Sequence, residues 1–169
     1  MTDFSYKTLS GEHAEAWHTL RVDGARCFPL AFLRTAEEMA AMTIDQCRKM
    51  LAAGQMYGVF DGEKLIGFCG FRPERLEQTR HRAEVGPLYV SPDYHGTGAA
   101  DSLMTNIIDQ ARELGLAQVE LYVNADNPRA CGFYEKHGFT TVAKLFDFAR
   151  VDDVPQHDLL MVLRLLAAA

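Results

Sequence analysis

The 169-residue sequence lacks the patterns of a metal-binding, secreted or membrane protein. Its four cysteines are scattered without Cys-x-x-Cys spacing, so neither a zinc site nor a disulfide framework is indicated and we expect reduced thiols. No stretch approaches the roughly 20 apolar residues of a membrane span. The N-terminal residues also lack the basic head and apolar run of a secretory signal. We therefore expect a cytoplasmic protein without a bound metal.

Runs of basic residues are also absent. The sequence has 17 lysine and arginine residues against 23 aspartate and glutamate residues, and its formal net charge is −6. This balance argues against nucleic acid or an anionic membrane as the main partner and suits a cationic one, although mild acidity also serves solubility alone. There is no internal repeat, and 48% hydrophobic residues are enough to bury one core, so a single domain over residues 1–169 is expected.

The clearest local pattern is a strand, a glycine-containing turn and a helix within residues 84–103. The apolar end of the strand stops before Pro92, which cannot donate to a sheet. Gly96 and Gly98 then allow a sharp turn, and apolar residues recur at helical spacing from Leu103 to Leu114. Because the first N–H groups of a helix have no partner inside the helix, this N-terminus predicts an anion site.

This turn resembles the motif with which the GNAT superfamily of N-acyltransferases binds the pyrophosphate of acyl-CoA. The family pattern is Arg/Gln-x-x-Gly-x-Gly/Ala, and this sequence reads His95-Gly96-Thr97-Gly98-Ala99-Ala100, with a histidine in the first position. A second family motif, an asparagine that opens a helix carrying a tyrosine, is similar to residues 127–139, which contain Asn127 and Tyr134. Two motifs in the family's order are more specific than either alone. The resemblance covers residues 56–166 and extends over residues 1–55 only in outline.

The resemblance implies an α/β fold with a mixed, mostly antiparallel sheet of six to seven strands, flanked by helices on both sides. Local patterns predict the same elements. Strands are expected near residues 4–8, 56–60, 65–71, 84–90, 119–123, 140–148 and 158–166, and helices after Ser10, Thr35, Thr43, Gly98 and Asn127. Further expectations are a core position for Trp17, an inward Met50 on the third helix, a bulge or close approach at Gly67 and Gly70, a solvated loop at 72–82, a turn at 152–155 and a tail at 167–169.

The resemblance also implies how coenzyme A is held. The two strands around the crossover helix would splay apart, and the pyrophosphate would lie on backbone N–H groups of the turn. The pantetheine arm would pair with residues 88–90 like an added strand, with the thioester carbonyl near the N–H of Val90. Since a neutral imidazole contributes less to a diphosphate than a guanidinium does, backbone donors are expected to dominate. The predicted acetyl-CoA-binding residues are Leu88, Tyr89, Val90, His95, Gly96, Thr97, Gly98, Ala99, Ala100, Asn127 and Tyr134.

Two catalytic residues are predicted. Tyr134 matches the family's tyrosine that protonates the departing thiolate, and the alternative is a buried tyrosine that satisfies its hydroxyl locally. Glu84 stands six residues before Val90, where some family members place a catalytic glutamate, and even spacing puts both on one face unless Gly86-Pro87 holds a bulge. The alternative for Glu84 is a solvated strand residue. Cys131 is interpreted as structural.

These features predict an N-acetyltransferase that moves an acetyl group from acetyl-CoA to a primary amine of a small molecule or peptide, by direct transfer. The apolar loop 28–33 could line the acceptor pocket, belong to the core, or form a homodimer contact. A non-catalytic acyl-CoA-binding module is the rival hypothesis. A dinucleotide-binding fold is disfavoured, because Asp101 at the sixth position of the glycine motif would repel a pyrophosphate.

Overall fold

The computed structural model describes residues 3–165. Within this range, seven strands form a mixed sheet in the order β1-β2-β3-β4-β5-β7-β6, mostly antiparallel with the parallel pair β4–β5, which confirms the predicted fold class. The elements are β1 (Ser5–Thr8), α1 (Ala14–Cys27), α2 (Ala36–Ala40), α3 (Ile44–Leu51), β2 (Met56–Asp61), β3 (Lys64–Pro73), β4 (Arg82–Val90), α4 (Ala99–Glu113), β5 (Gln118–Asn124), α5 (Pro128–Lys136), β6 (Thr140–Val151) and β7 (Val154–Arg164).

Two compact units share these elements. The first contains residues up to Phe71 together with Pro87–Asn106, and the second contains Arg72–Gly86 together with the residues from Ile107 onward. No helix within residues 3–165 is both long and apolar enough to cross a membrane. The expectation of one domain stays a prediction.

The first unit has a hydrophobic core between its helices and the strands β1–β3. Trp17 of α1 is 1% exposed and packs edge-on against Phe68, with the ring centroids 6.3 Å apart, so its predicted core position is confirmed. Capping boxes at Thr35 and Thr43 open α2 and α3 as predicted. The inward position predicted for Met50 is wrong: its side chain is 41% exposed, because it lies about 90° around α3 from the buried stripe at 100° per residue.

The two strands predicted at 56–60 and 65–71 are β2 and β3, which pair as an antiparallel hairpin with Gly62 in its turn. Gly62 has a φ of +60°, which a residue without a Cβ adopts at little cost. The register of the two strands shifts between Val59 and Phe60. Gly67 lies close to that shift, and a Cβ built on it would come within 2.8 Å of the Tyr89 carbonyl oxygen, so the close approach predicted there is confirmed.

The second unit contains the antiparallel pairs β5–β7 and β6–β7. Glycines with positive φ follow α4 and α5, at Gly115 and Gly138. The turn predicted at 152–155 is shorter in the structure, because Val154 already begins β7. Asp152 and Asp153 have φ of 50° and 60°, which suits a two-residue hairpin turn whose twist matches the strands. The end of the predicted last strand, Leu166, and the predicted tail lie outside the described residues.

β6 is the outer strand of the β5–β7–β6 set and is irregular. Its register against β7 shifts between Thr141 and Ala143 and again between Leu145 and Ala149. Asp147, within the second shift, has a φ of 51° and accepts two hydrogen bonds from the guanidinium of Arg150, at 2.9 and 2.6 Å. These contacts hold the pKa of the Asp147 carboxyl below its usual value.

The close approach at Gly67 yields a test of stability. We expect Gly67→Ala to lower the free energy of unfolding by about 1–3 kcal/mol, since the added methyl group meets a backbone oxygen that cannot rotate away. Gly132→Ala is the matched control: nothing lies within 4 Å of its Cβ position in α5, and alanine is the better helix former there. Urea unfolding of the three proteins measures both effects, and equal stability of Gly67→Ala and wild type would contradict the close approach.

Candidate acyl-CoA site

The turn between β4 and α4 is built for an anion. Gly96 and Gly98 have φ of +77° and +90°, and among residues 3–165 no atom lies within 4 Å of a Cβ built on either residue. The first helical hydrogen bond runs from Ser102 N to Gly98 O at 2.9 Å. The N–H groups at the start of α4 therefore precede the helical ladder and face open space, where the positive end of the helix dipole favours a negative group. These residues fit the pyrophosphate of coenzyme A.

Side-chain contacts hold this turn in shape. The Tyr94 hydroxyl donates to Oδ2 of Asp61 at 3.0 Å, and this bond raises the pKa of Tyr94. The Thr97 hydroxyl donates to the Tyr94 carbonyl at 2.6 Å. Among the other predicted members of the motif, Ala99 is buried and Ala100 is half-buried. The protein's own side chains therefore hold the turn in shape, and a rigid turn lowers the conformational cost of binding.

The side chain of His95 is hydrogen-bonded to the strand that precedes it. Its Nε2 lies 2.9 Å from the Val90 carbonyl oxygen, and since a carbonyl oxygen only accepts, Nε2 must carry the proton. In a neutral ring, Nδ1 then has no hydrogen to donate to a phosphate. The ring centroid of Phe28 lies 6.1 Å from that of His95. This geometry agrees with the expectation that backbone donors dominate the anion site.

The backbone at the end of β4 alternates between two edges. Ser91 N donates to Ile66 O of β3 at 2.8 Å, so Ser91 and, two residues earlier, Tyr89 direct their backbone groups toward β3. Val90 and Leu88 direct theirs to the opposite edge. A pantetheine arm at that edge would meet the backbone of Leu88 and Val90 rather than that of Tyr89. At Val90 the N–H is the available group, because the carbonyl accepts from His95.

The regular strand geometry of β4 ends at Gly86. Burial alternates regularly from Arg82 to Val85, whereas Tyr89 and Val90 are both buried. Gly86 itself has a φ of +117°, far from strand values. The parallel register with β5 covers only Arg82–Glu84. Side chains therefore do not alternate regularly between the two faces of the strand from Glu84 to Val90. Regular alternation is what would place these two residues on one face, so their even spacing does not do so here.

Glu84, the predicted base, is held by an arginine. Nη2 of Arg72 lies 2.5 Å from Oε1 of Glu84, and Nη1 of the same guanidinium donates to the Gly86 carbonyl at 2.6 Å. The side chains of Arg72 and Glu84 are 36% and 38% exposed. The Arg72 guanidinium thus joins the Glu84 carboxylate to the backbone at Gly86, where β4 is irregular. To accept a proton from a substrate, Glu84 has to compete with its bond to Arg72.

The predicted solvated loop at 72–82 is wrong at both ends. β3 continues to Pro73 and β4 begins at Arg82, because both arginines have carboxylate partners that keep them on strands. Arg82 pairs with Glu120 of β5, which is 9% exposed, and this bond raises the pKa of Arg82. Arg80 and His81, between the strands, are exposed as predicted. Both ion pairs join residues distant in the chain, so no local sequence signal identifies them.

Asn127 and Tyr134 occupy the second unit, on α5 as predicted. Oδ1 of Asn127 accepts from Ala130 N at 3.1 Å and caps the helix, which leaves its Nδ2 as the group for other contacts. Tyr134 is 9% exposed and packs edge-on against Phe133 and Phe139, with ring centroids 5.4 and 5.9 Å away. Its ring is therefore held in position by two aromatic neighbours.

Cys131 lies on the same helix, and burial raises the pKa of its thiol. A thiol that stays protonated is a weak nucleophile, in agreement with a structural role. All four cysteines are free thiols. Within residues 3–165, no group of three or more histidine, cysteine, aspartate or glutamate side chains is arranged to hold a metal ion.

Comparison with known proteins gives the family. The model of the acetyltransferase (GNAT) family matches residues 17–139, more than half of the chain. The chain belongs to the GNAT acetyltransferase family. Acetyl-CoA is the co-substrate of this family, and the recognition made from the two motifs is confirmed.

Individual relatives agree with this result. A mycothiol acetyltransferase of Propionibacterium freudenreichii is 34% identical over 112 residues, which are 63% of this chain and 36% of that protein. The chain spans about a third of the length of the first curated relatives it matches. The crystal structure of an N-acetyltransferase from Staphylococcus aureus Mu50 aligns with a TM-score of 0.84 and 19% identity, over 97% of this chain and 99% of that one. A putative acetyltransferase from Salmonella typhimurium, solved with its cofactor acetyl-CoA, aligns with a TM-score of 0.83 and 17% identity, over 98% and 96% of the two chains.

Proposed function

We propose that this chain transfers the acetyl group of acetyl-CoA directly to a primary amine of a small molecule or peptide, in a ternary complex. The observation that carries the proposal is the open turn at Gly96 and Gly98, where preformed backbone donors start α4. Such donors bind a pyrophosphate without side-chain charge. Membership of the GNAT acetyltransferase family supports acetyl-CoA as the ligand at this turn and acetyl transfer as the reaction.

The reaction needs four things from the protein: a hold on the co-substrate, a polarised carbonyl, a neutral amine and a proton for the thiolate. We assign the hold to the backbone of residues 95–100 and to Leu88 and Val90. Within the turn the N–H groups of His95 and Thr97 already donate to the carbonyls of Pro92 and Tyr94, so the pyrophosphate is assigned to the N–H groups of the other turn residues. The N–H of Val90 is assigned to the carbonyl oxygen, because a fixed donor stabilises the charge that develops when the amine attacks. The carbon–nitrogen bond forms and the carbon–sulfur bond breaks, so the attacking neutral amine loses one proton and the departing sulfur gains one. An acceptor that arrives as an ammonium loses one further proton before it attacks.

We assign the proton for sulfur to Tyr134. A phenol with a pKa near 10 protonates a thiolate whose acid has a pKa near 8.5 only slightly uphill, so a fixed position is what the protein must contribute. The packing of the Tyr134 ring between Phe133 and Phe139 supplies such a position. The same packing also suits a purely structural tyrosine, and the two roles differ only in the hydroxyl.

We assign to Glu84, directly or through one water, the removal of the proton that the ammonium acceptor loses before it attacks. A free amine with a pKa near 10 is almost wholly protonated at pH 7, so some base is required. The bond from Arg72 gives Glu84 a competing structural role, in which the pair tethers β4 at Gly86. Because a structural role for this pair requires no catalysis, it also agrees with the rival hypothesis of a non-catalytic acyl-CoA-binding module.

The acceptor is proposed only by class. Some relatives are named mycothiol acetyltransferases, but the chain spans about a third of their length. The sequence-based expectations of a homodimer, of a cytoplasmic location and of direct transfer stay predictions. Turnover is tested by thiol release from acetyl-CoA across a panel of polyamines, amino acids, aminoglycosides and peptides. Tight coenzyme A binding without thiol release with any amine would favour the non-catalytic module.

The co-substrate assignment predicts a specific effect at Gly98. We expect Gly98→Ala to weaken coenzyme A binding at least 10-fold in calorimetry, because the methyl group occupies the space over the first N–H groups of α4. Gly54→Ala is the matched control, since Gly54 also has positive φ, at +67°, with nothing near its Cβ position. Both variants carry the backbone strain, and only the first should lose affinity. Equal affinity in the two would remove the cradle from the site.

Tyr134→Phe separates proton donation from packing. We expect kcat to fall on the order of 100-fold while the melting temperature changes little, because the ring and its two aromatic contacts remain. The thiol-release assay and thermal unfolding measure the two quantities. Unchanged kcat, or a loss that tracks the melting temperature, would assign Tyr134 a structural role.

Glu84→Gln tests the base against the tether. If Glu84 accepts the proton, kcat/KM should fall on the order of 100-fold and the acidic limb of its pH profile should move, since an amide cannot accept that proton. Arg72→Gln is the companion variant: it breaks the same ion pair but leaves the carboxylate in place. Similar losses of activity and stability in both variants would mean that the tether, not a base, is what Glu84 provides.

A further inference from the structure

The first unit contains a cleft of about 280 Å³ beside the end of β4. Asp23 and Cys27 line it from the last turns of α1, and Tyr89 and Asp93 line it from β4 and the turn that follows. The volume is slightly below the roughly 300–1,000 Å³ of ordinary small-molecule sites. The cleft therefore fits a small group or the end of a longer chain.

Tyr89 is a largely buried residue that lines this cleft with its side chain. The residue is only 6% exposed, and its ring packs against Phe28, Phe32 and Phe68 with centroid distances of 6.2, 6.0 and 5.9 Å. Within residues 3–165 its hydroxyl has no hydrogen-bond partner. Tyr89 shares the lining of the cleft with Asp23, Cys27 and Asp93. Burial, together with these three residues, raises the pKa of Tyr89 to about 12, so the hydroxyl stays neutral. The hydroxyl therefore offers a hydrogen-bonding group to a ligand in the cleft.

The charge of the cleft is predominantly negative. Asp23 and Asp93 are exposed carboxylates, and neither forms an ion pair with another residue of the described range. Arg26 also lines the cleft, so two negative groups face one positive group. A cation in the cleft would meet both carboxylates and the hydroxyl oxygen of Tyr89.

We propose that this cleft binds an ammonium group of the acceptor, between Asp23, Asp93 and the Tyr89 hydroxyl, and so selects acceptors that carry a second positive charge. The inference rests on the proposed function, since it concerns the acceptor of that reaction. The bound ammonium is not the reacting amine, which must be neutral to attack. Tyr89 and Ser91 flank Val90 in the chain and both line the cleft, so the anchored end would lie next to the residue assigned to the thioester carbonyl.

The test uses three probes of equal length and different charge: 1,4-diaminobutane, n-butylamine and 4-aminobutanoate. Calorimetry on the full chain with coenzyme A present should rank their affinities in that order. Asp23→Asn and Asp93→Asn should each weaken 1,4-diaminobutane at least 10-fold, and Tyr89→Phe should weaken it less. Glu37→Gln, which removes an exposed carboxylate of α2 that does not line the cleft, should change nothing.

The outcomes separate this inference from the proposed function. Diamine binding that depends on Asp23 and Asp93, without thiol release from acetyl-CoA, would keep the ammonium site and reject the transferase. Thiol release with equal preference for the diamine and butylamine, unaffected by the aspartate variants, would keep the transferase and reject the ammonium site. Strongest binding of 4-aminobutanoate would show that Arg26 dominates and overturn the inference. A changed affinity for coenzyme A in Asp23→Asn would also overturn it, because the cleft would then belong to the co-substrate.

Discussion

The left-handed backbone at Gly96 and Gly98 is the constraint on which the candidate site depends. A chain that leaves a strand and enters a helix within a few residues must reverse direction, and L-residues with a Cβ reach the required φ only with strain. Two residues without a Cβ allow the reversal and also leave their backbone N–H groups uncovered. The same feature therefore makes the turn possible and makes it receptive to an anion.

Around this turn, the surrounding contacts decide which groups are available. His95 takes the Val90 carbonyl, the Tyr94 hydroxyl ties the turn to Asp61, and Tyr89 directs its backbone toward β3 and its side chain toward the cleft. Each of these contacts occupies one polar group that a ligand could otherwise bind and leaves a neighbouring polar group available. The N–H of Val90 and the first N–H groups of α4 remain available where we propose that coenzyme A binds, and the Tyr89 hydroxyl remains in the cleft. Specificity in this region follows largely from which hydrogen bonds the protein makes to itself.

Local patterns were sufficient for most of the fold. Caps at Thr35, Thr43 and Asn127 and the glycines that follow the helices involve partners within a few residues, so their sequence signals identified the elements and most of their ends. The motif residues 95–100 were located in the same way. The pairs Arg72–Glu84 and Arg82–Glu120 could not be predicted, because they join different strands and depend on register. The charged composition of residues 72–82 predicted a solvated loop, whereas the sheet places the two ends of this segment, Arg72 and Arg82, beside carboxylates. The cleft likewise combines α1 with residues about sixty positions later, a contact that only the folded chain defines.

The irregular β6 has a consequence for association between molecules. An outer strand normally exposes a row of backbone donors and acceptors on which another chain can add a strand. In β6 the two register shifts and the left-handed Asp147 divide that row into short pieces, and the bidentate bond from Arg150 holds the interruption in place. An incoming strand would find only a few residues in register before its hydrogen bonds failed. The exposed Phe146, at 72%, can therefore stand on this edge without offering a template for fibre-like growth.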